Sequence, residues 1–277
     1  MTNASNFTAL HYAQRPFLLP NAWDVASAVL LADAGFPAIG TTSLGVTAAA
    51  GLPDGVGAGR DLTLALVHDL VRRLSVPLTV DLEGGYSDDP PTVAALATEL
   101  AGLGVAGINL EDGRSDGGLR RAEEHAAVIS AVAIGAPELF INARTDTYWL
   151  SVGPDDQRLD ETLRRLAAYR HAGATGVFIP GLTDLADTAT VVKSVALPVN
   201  VLCRPDGDLS ALAAVGVARV STGSSLYRHA LAAAVSVADA ARGGRRLQRA
   251  EPVDYAYLQN SLSARRETRE PGACADG

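Results

Sequence analysis

Leu78-Thr79-Val80-Asp81-Leu82-Glu83-Gly84-Gly85-Tyr86 is the stretch on which the fold turns. Its apolar, β-branched start reads as a buried strand, and the carboxylates and paired glycines that follow read as a polar turn at the strand's end. Downstream, residues 92–103 have the alanine- and leucine-rich spacing of a helix, closed by Gly104. The next strand, Gly107-Ile108-Asn109-Leu110, again ends in acids, Glu111-Asp112. Upstream, the same unit is visible in Phe17-Leu18-Leu19 and Ala38-Ile39-Gly40-Thr41. It recurs in Leu139-Phe140-Ile141-Asn142, Gly176-Val177-Phe178-Ile179, Val199-Asn200-Val201-Leu202 and Ala218-Arg219-Val220-Ser221. Helical spacing fills residues 25–34, 62–74, 122–133 and 159–172 between them. Eight strand–helix units fit a closed (β/α)8 TIM barrel better than an open doubly wound sheet. Residues 225–242 and 255–266 read as further helices. We therefore expect a barrel catalytic domain over 1–245 and, over 246–277, a C-terminal helical appendix that packs either outside the barrel or on a neighbouring subunit, with a disordered tail from Thr268.

At 277 residues and 48% hydrophobic, the chain is large and apolar enough for such a core. A net charge of −8 and a single lysine, Lys193, leave no basic tract for a phosphate backbone, so nucleic acid is not an expected partner. No apolar run approaches the roughly 20 residues of a membrane span. The start, Met1 to Leu10, lacks a basic segment followed by an apolar one, so a cytoplasmic location is expected. Two cysteines, Cys203 and Cys274, make neither a disulfide framework nor a zinc cluster. An anionic substrate approaching so acidic a chain needs a local cation or a placed arginine.

Active sites of barrels lie at the C-terminal ends of the strands, and there this sequence is acidic. Asp81 and Glu83, two apart, fall on one side of an extended chain, as do Asn109 and Glu111, and Asn142 and Arg144, with Asp146 beyond. Clustered carboxylates without histidine or cysteine suit a hard ion, Mg2+, with Mn2+ the alternative. Taken singly, an acid at a strand end is more often a helix cap or a solvated loop residue than a ligand, and it is the conjunction on adjacent strands that points to a site. His11, His68, His125, His171 and His229 lie in or beside predicted helices or before the first strand, and none stands out as a general base. Gly55-Val56-Gly57-Ala58-Gly59 follows no strand and reads as a flexible loop rather than a dinucleotide turn.

Pro20-Asn21-Ala22-Trp23-Asp24, Thr42-Ser43-Leu44-Gly45-Val46 through Asp54, Asp81 to Tyr86, Gly107 to Asp112 and Ala143-Arg144-Thr145-Asp146, in this order, resemble the isocitrate lyase/phosphoenolpyruvate mutase superfamily. The resemblance implies a Mg2+-dependent barrel, a dimer or tetramer, acting on a small 2-oxo acid through a metal-stabilised enolate. It implies Asp81 as direct metal ligand, with Glu83, Glu111 and Asp54 holding its waters, and Arg144 gripping the substrate carboxylate. The Thr42-Ser43-Leu44 backbone would bind the developing oxyanion, and Asn200 would be a second polar contact. Asp54, Glu111 and Arg144 form the expected catalytic set, and Thr42, Ser43, Leu44, Asp81, Arg144 and Asn200 the substrate-binding set.

The departures narrow the chemistry. Lyases of the superfamily carry a Lys-Lys/Arg-Cys-Gly-His type motif where this chain has Gly113-Arg114-Ser115-Asp116-Gly117-Gly118-Leu119-Arg120-Arg121. The absent cysteine argues against ordinary isocitrate or methylisocitrate cleavage, and the absent lysine against ordinary phosphonate chemistry. Only Arg114, Arg120 or Arg121 could replace that charge, and arginine does not readily trade protons. An oxaloacetate-like decarboxylase, hydrolase or lyase is the leading expectation. Phosphonomutase or phosphonopyruvate hydrolase chemistry and a non-catalytic 2-oxo-acid-binding protein are the alternatives.

Overall fold

The computed structural model describes residues 2–203, 209–244 and 253–263. Its strands are β1 (Phe17–Leu19), β2 (Asn21–Ala22), β3 (Ile39–Thr41), β4 (Leu78–Asp81), β5 (Gly107–Glu111), β6 (Phe140–Arg144), β7 (Gly176–Phe178), β8 (Val199–Leu202) and β9 (Arg219–Ser221). All pair in parallel, in the order β1-β9-β8-β7-β6-β5-β4-β3-β2. β1 and β2 are one segment interrupted at Pro20, which has no N–H for a continuous ladder. The segment pairs with β9 before the proline and with β3 after it, so the sheet closes. The eight strands expected from the sequence are all present, and the barrel expectation holds.

Asn21 seals the seam next to Pro20. Its Oδ1 accepts the Thr222 and Gly223 amides at 3.1 and 2.9 Å, and its Nδ2 donates to the Thr41 carbonyl at 2.7 Å. A side chain thereby replaces ladder bonds that the proline cannot make.

The helices in chain order are α1 (Asn3–Leu10), α2 (Val25–Asp33), α3 (Ser43–Ala49), α4 (Arg60–Leu70), α5 (Pro90–Gly102), α6 (Ala122–Gly135), α7 (Asp155–His171), α8 (Leu185–Val195), α9 (Leu209–Ala214), α10 (Ser225–Arg242) and α11 (Tyr255–Ser263). Local chemistry starts several of them. Asp24 and Ser27 form a reciprocal capping box on α2, and Asp89 caps α5 just before Pro90 at its first position. Strands with apolar side chains on both faces, packed under these helices, account for the near-continuous burial of β3 to β9.

α1, not expected from the sequence, plugs the N-terminal mouth of the barrel. Phe7 packs edge-on against Phe17 and Phe140 at 6.2 and 5.5 Å between centroids, and His11 stacks on Phe140 at 3.9 Å. Burial, aided by the nearby Arg219 charge, drives the His11 pKa down to about 3, so the imidazole is neutral and acts as an aromatic plug. Phe7→Leu is expected to cost about 1 kcal/mol in urea unfolding. The substitution should leave ligand binding at the opposite mouth unchanged, and an unaltered unfolding midpoint would deny α1 a part in the core.

α11 folds back on the same barrel. Tyr257 Oη and Ser261 Oγ both donate to Asp33 Oδ2 at the end of α2, at 3.2 and 2.9 Å, and Arg73 Nη1 donates to the Leu262 carbonyl at 2.8 Å. The expected start of the appendix at 246 and its tail from Thr268 lie outside the described residues.

Candidate active site

At the C-terminal mouth a cavity of about 110 Å³ is walled by Thr42, Ser43, Leu44, Asp54, Asp81 and Arg144, among others. Its size suits a ligand of a few heavy atoms.

β3 and β4 fix the first group. Thr41 Oγ1 accepts the Asp81 amide at 2.9 Å, and Asp81 Oδ2 accepts the Ser43 amide at 3.3 Å, so the first turn of α3 is tied to the strand beside it. After β4 the chain turns sharply: Glu83, Gly85 and Tyr86 all have positive φ. Glu83 in the left-handed region costs about 1 kcal/mol, a local strain typical of functional sites. At Gly85 a Cβ would meet Val93 Cγ1 at 2.6 Å, so only glycine fits. This turn throws Glu83 inward to 3% exposure, where Oε2 accepts the Gly57 amide at 2.9 Å. The loop of residues 55–59, with Gly55 and Gly57 at positive φ, is thus a backbone arm of the site.

β5 and β6 fix the second group. Their register sets Glu111 beside Arg144, and Arg144 Nη1 meets Glu111 Oε2 at 2.6 Å. Arg144 Nε and Nη2 clamp Asp146 Oδ1 and Oδ2 at 2.6 and 3.1 Å, a bidentate fork, and the guanidinium lies 5.6 Å from the Phe178 ring centre. Asp112, next to Glu111, faces the other way by strand alternation. It accepts Tyr169 Oη at 2.6 Å, Thr145 Oγ1 at 2.8 Å, the Asp146 amide at 2.9 Å and Arg165 Nη1 at 3.0 Å. Asp112 therefore locks the turn that carries the clamp.

The charges do not balance. Burial pushes the pKa of Glu83 up to about 6 and raises those of Asp54, Glu111 and Asp146, with neighbouring carboxylates adding to each. Burial also works against the Arg144 charge, but Glu111, Asp146 and Asp81 outweigh it and hold the guanidinium protonated. One arginine cannot neutralise so many acids, and a proton or a second cation must make up the deficit.

The unpaired oxygens show where. Asp81 Oδ1 and Glu83 Oε1 are buried without a hydrogen-bond partner. An all-carboxylate set with orphaned acceptors fits a hard divalent ion. Among the described residues no three His, Cys, Asp or Glu side chains gather as a ready-made ligand shell. The residues present suit an ion that keeps several waters, as Mg2+ does.

For an acid with a raised pKa the folded state is penalised once the group ionises. Stability of the metal-free protein is therefore expected to fall as pH rises from about 4.5, the ordinary value for Glu83, through about 6. Added Mg2+ should raise the melting temperature by an amount that grows over the same window. Melting curves with chelator and with Mg2+ across pH 5 to 8 check this, and a pH-independent Mg2+ effect would contradict it.

Of the nine residues expected from the sequence, the six wall residues named above line the cavity, Glu111 pairs with Arg144, and Glu83 lines the neighbouring pocket beside Gly57. Asn200 is not among the wall residues; the wall residue Ser221 donates from Oγ to Asn200 Oδ1 at 3.1 Å. The sequence reading omitted Asn21, Asn109, Trp149, Phe178 and Ser221 from the wall, and the Asp146 clamp. Asp146 and Asn109 carried a signal, their i+2 spacing from Arg144 and Glu111. In the segment after β5, Arg120 is spent on Asp88 at 2.7 Å and on the Gly84 carbonyl at 3.2 Å, whereas Arg114 and Arg121 are exposed or nearly so.

The site is a ring of strand-end carboxylates around one clamped arginine in a closed parallel barrel, and the comparisons with known proteins place the chain in the isocitrate lyase/phosphoenolpyruvate mutase superfamily. Within it, the chain belongs to the phosphoenolpyruvate phosphomutase family, whose model matches residues 7–242. It is 43% identical over 257 residues to the uncharacterized protein Rv1998c of Mycobacterium tuberculosis, covering 93% of this chain and 96% of that one. An oxaloacetate decarboxylase of Ectopseudomonas mendocina is 28% identical over 248 residues, 83% of this chain and 81% of the relative. A crystal structure of a candidate lyase/mutase from Burkholderia cenocepacia superposes with a TM-score of 0.84 at 36% identity, covering 95% of this chain and 96% of that one.

Proposed function

We propose that the protein is a Mg2+-dependent carbon–carbon lyase, decarboxylase- or hydrolase-like, acting on a small 2-oxo acid of the oxaloacetate type. The observation that carries this reading is the pair of orphaned oxygens, Asp81 Oδ1 on the wall of a strand-end cavity that also holds one clamped arginine, and Glu83 Oε1 two residues further along the same chain. Asp81 would ligate the ion directly, and Glu83, Asp54 and Glu111 would hold its waters. When bound, the ion supplies Lewis-acid polarisation of the substrate's 2-oxo group.

The chain's own groups do the rest. A guanidinium has five N–H groups, and Glu111 and Asp146 take three of those on Arg144, which leaves two for a substrate carboxylate at the cavity wall. The Ser43 amide is committed to Asp81, so the Leu44 amide in the same first turn of α3 remains for a substrate oxygen. Trp149, Phe178, Pro180 and Leu202 form an apolar side of the wall, which limits water around the breaking bond. Asp54, whose proton affinity is raised chiefly by burial, is the wall carboxyl placed to return a proton to carbon. The exposed Leu231 and Val235 on α10 support the expected homo-oligomer, which light scattering tests.

The test of function is an NMR time course with Mg2+ over oxaloacetate, 2-oxoglutarate, isocitrate, methylisocitrate, dimethylmalate and phosphonopyruvate, with a chelator control. Chelator-sensitive release of carbon dioxide or a C–C cleavage product from a 2-oxo acid is expected. A phosphorus product from phosphonopyruvate would replace this reading by P–C chemistry. Binding without turnover across the panel would replace it by a ligand-binding role.

A further inference from the structure

Below Asp81 the barrel lumen is polar. Asn109, paired with Asp81 in the β4–β5 register, lines the cavity floor. Its Oδ1 accepts Asn142 Nδ2 at 2.8 Å from β6 and Arg219 Nη2 at 3.3 Å from β9, across the lumen. Arginine has only donors, so the amide atom facing Arg219 must be the oxygen. The Nδ2 group is thereby turned the other way, and among the described residues it donates to no protein atom.

Arg219 itself is fully buried, and its Nε and Nη1 have no partner. A buried guanidinium so poorly satisfied is costly, and an apolar residue would fill the barrel more cheaply. Its one side-chain hydrogen bond among the described residues goes to the residue that faces the ligand space.

We propose that Asn109 is a substrate-binding residue that donates from Nδ2 to an oxygen of the bound 2-oxo acid, and that Arg219 and Asn142 are positioning residues that hold its amide donor-outward. The inference rests on the function proposed above and adds a third hydrogen-bond source to Arg144 and the Leu44 amide. It also explains why an asparagine rather than an apolar residue stands two positions before Glu111.

Calorimetric titration with oxalate in Mg2+ tests it, because oxalate presents the adjacent carboxylate and carbon–oxygen groups of a 2-oxo acid and cannot react. Asn109→Ala is expected to weaken oxalate by about tenfold, the scale of one net hydrogen bond. Asn109→Asp keeps the shape but offers only acceptors, and should weaken oxalate further. Arg219→Met frees the amide to flip, so it should match the Asn109→Ala loss, and the double variant should lose no more than either single one. Arg219→Lys, which still donates, should recover most of the affinity. Asn142→Leu provides the same reading if Arg219→Met does not fold. Wild-type oxalate affinity in Asn109→Ala and Arg219→Met, with only the melting temperature lowered, would show a purely structural network and overturn the proposal. Additive losses would overturn the positioning role. Failure of the wild-type protein to bind oxalate with Mg2+ would remove the proposed function itself, an outcome separate from the others.

Discussion

Arg144→Met is expected to abolish oxalate binding and to lose about 3–5 kcal/mol of stability at pH 8 in chelator, because it strands two buried carboxylates. Glu111 and Asp146 face Arg144 at 2.6 Å from either side, and both already hold their protons more tightly than free carboxyls. Without the guanidinium their pKa values rise further, so at pH 5 both groups take up protons and the penalty largely vanishes. The deficit in urea unfolding should therefore shrink as pH falls from 8 to 5, the reverse of what lost packing alone would give. Arg144→Lys separates the two roles of the residue: the charge remains and stability is mostly kept, but an ammonium cannot fork onto Asp146, reach Glu111 and still grip a ligand. A deficit equal at both pH values, or oxalate binding retained in Arg144→Met, would contradict this account of the site.

The barrel was legible because each strand is a short apolar run between glycine or polar stops, and because its ladder neighbours follow in chain order. The elements that escaped lack that contrast. α1, Asn-Ala-Ser-Asn-Phe-Thr-Ala-Leu, has one large buried apolar residue, Phe7, and no amphipathic stripe; it is held by the hole it fills. α3 contains Gly45 and the β-branched Val46 and Thr47, and α8 is rich in threonine and valine, both poor helix formers. α8 instead rests on Asp184, which caps two amides of its first turn.

For the site, what could be read was charge on alternating positions. Asp81, Glu83, Glu111 and Arg144 stood out because an ionised side chain at a buried strand end demands an explanation. Asn109 and Asn142 share that spacing, but a neutral amide shows no role until its partners are known, and Asn21 has no such pattern around it. The same limit hid the difference between Glu111 and Asp112: alternation puts them on opposite faces, but only the helix packed behind β5, with Arg165 and Tyr169, makes Asp112 a structural anchor. Trp149 reaches the cavity through the β6–α7 connection, whose path is set by Gly181, where a Cβ would sit 3.0 Å from the Trp149 amide nitrogen.

Asp81→Asn is the second large effect, and it falls on turnover rather than folding. The asparagine is isosteric and keeps the backbone bond from its amide to Thr41 Oγ1, so the fold should persist. Its amide has two orientations, and each fails. With the oxygen kept on the Ser43 amide, the NH2 group occupies the place of the orphaned Oδ1 and presents hydrogens to the cation. With the amide flipped, the NH2 group opposes the Ser43 N–H, and the first turn of α3 loses the acceptor that orders it. Either way a charge is lost from the group that bears the unpaired oxygen, and the proposed direct ligation is weakened together with the position of Leu44. Since metal polarisation contributes several kcal/mol to such reactions, Mg2+-dependent turnover should fall by roughly three orders of magnitude. Glu83→Gln, at the residue proposed to hold only the ion's waters, should cost only about 10- to 100-fold. Steady-state rates and Mg2+ titrations of both variants give the comparison. Turnover in Asp81→Asn within tenfold of wild type, or a larger loss in Glu83→Gln than in Asp81→Asn, would move the ion away from Asp81 and with it the assignment of the reacting centre.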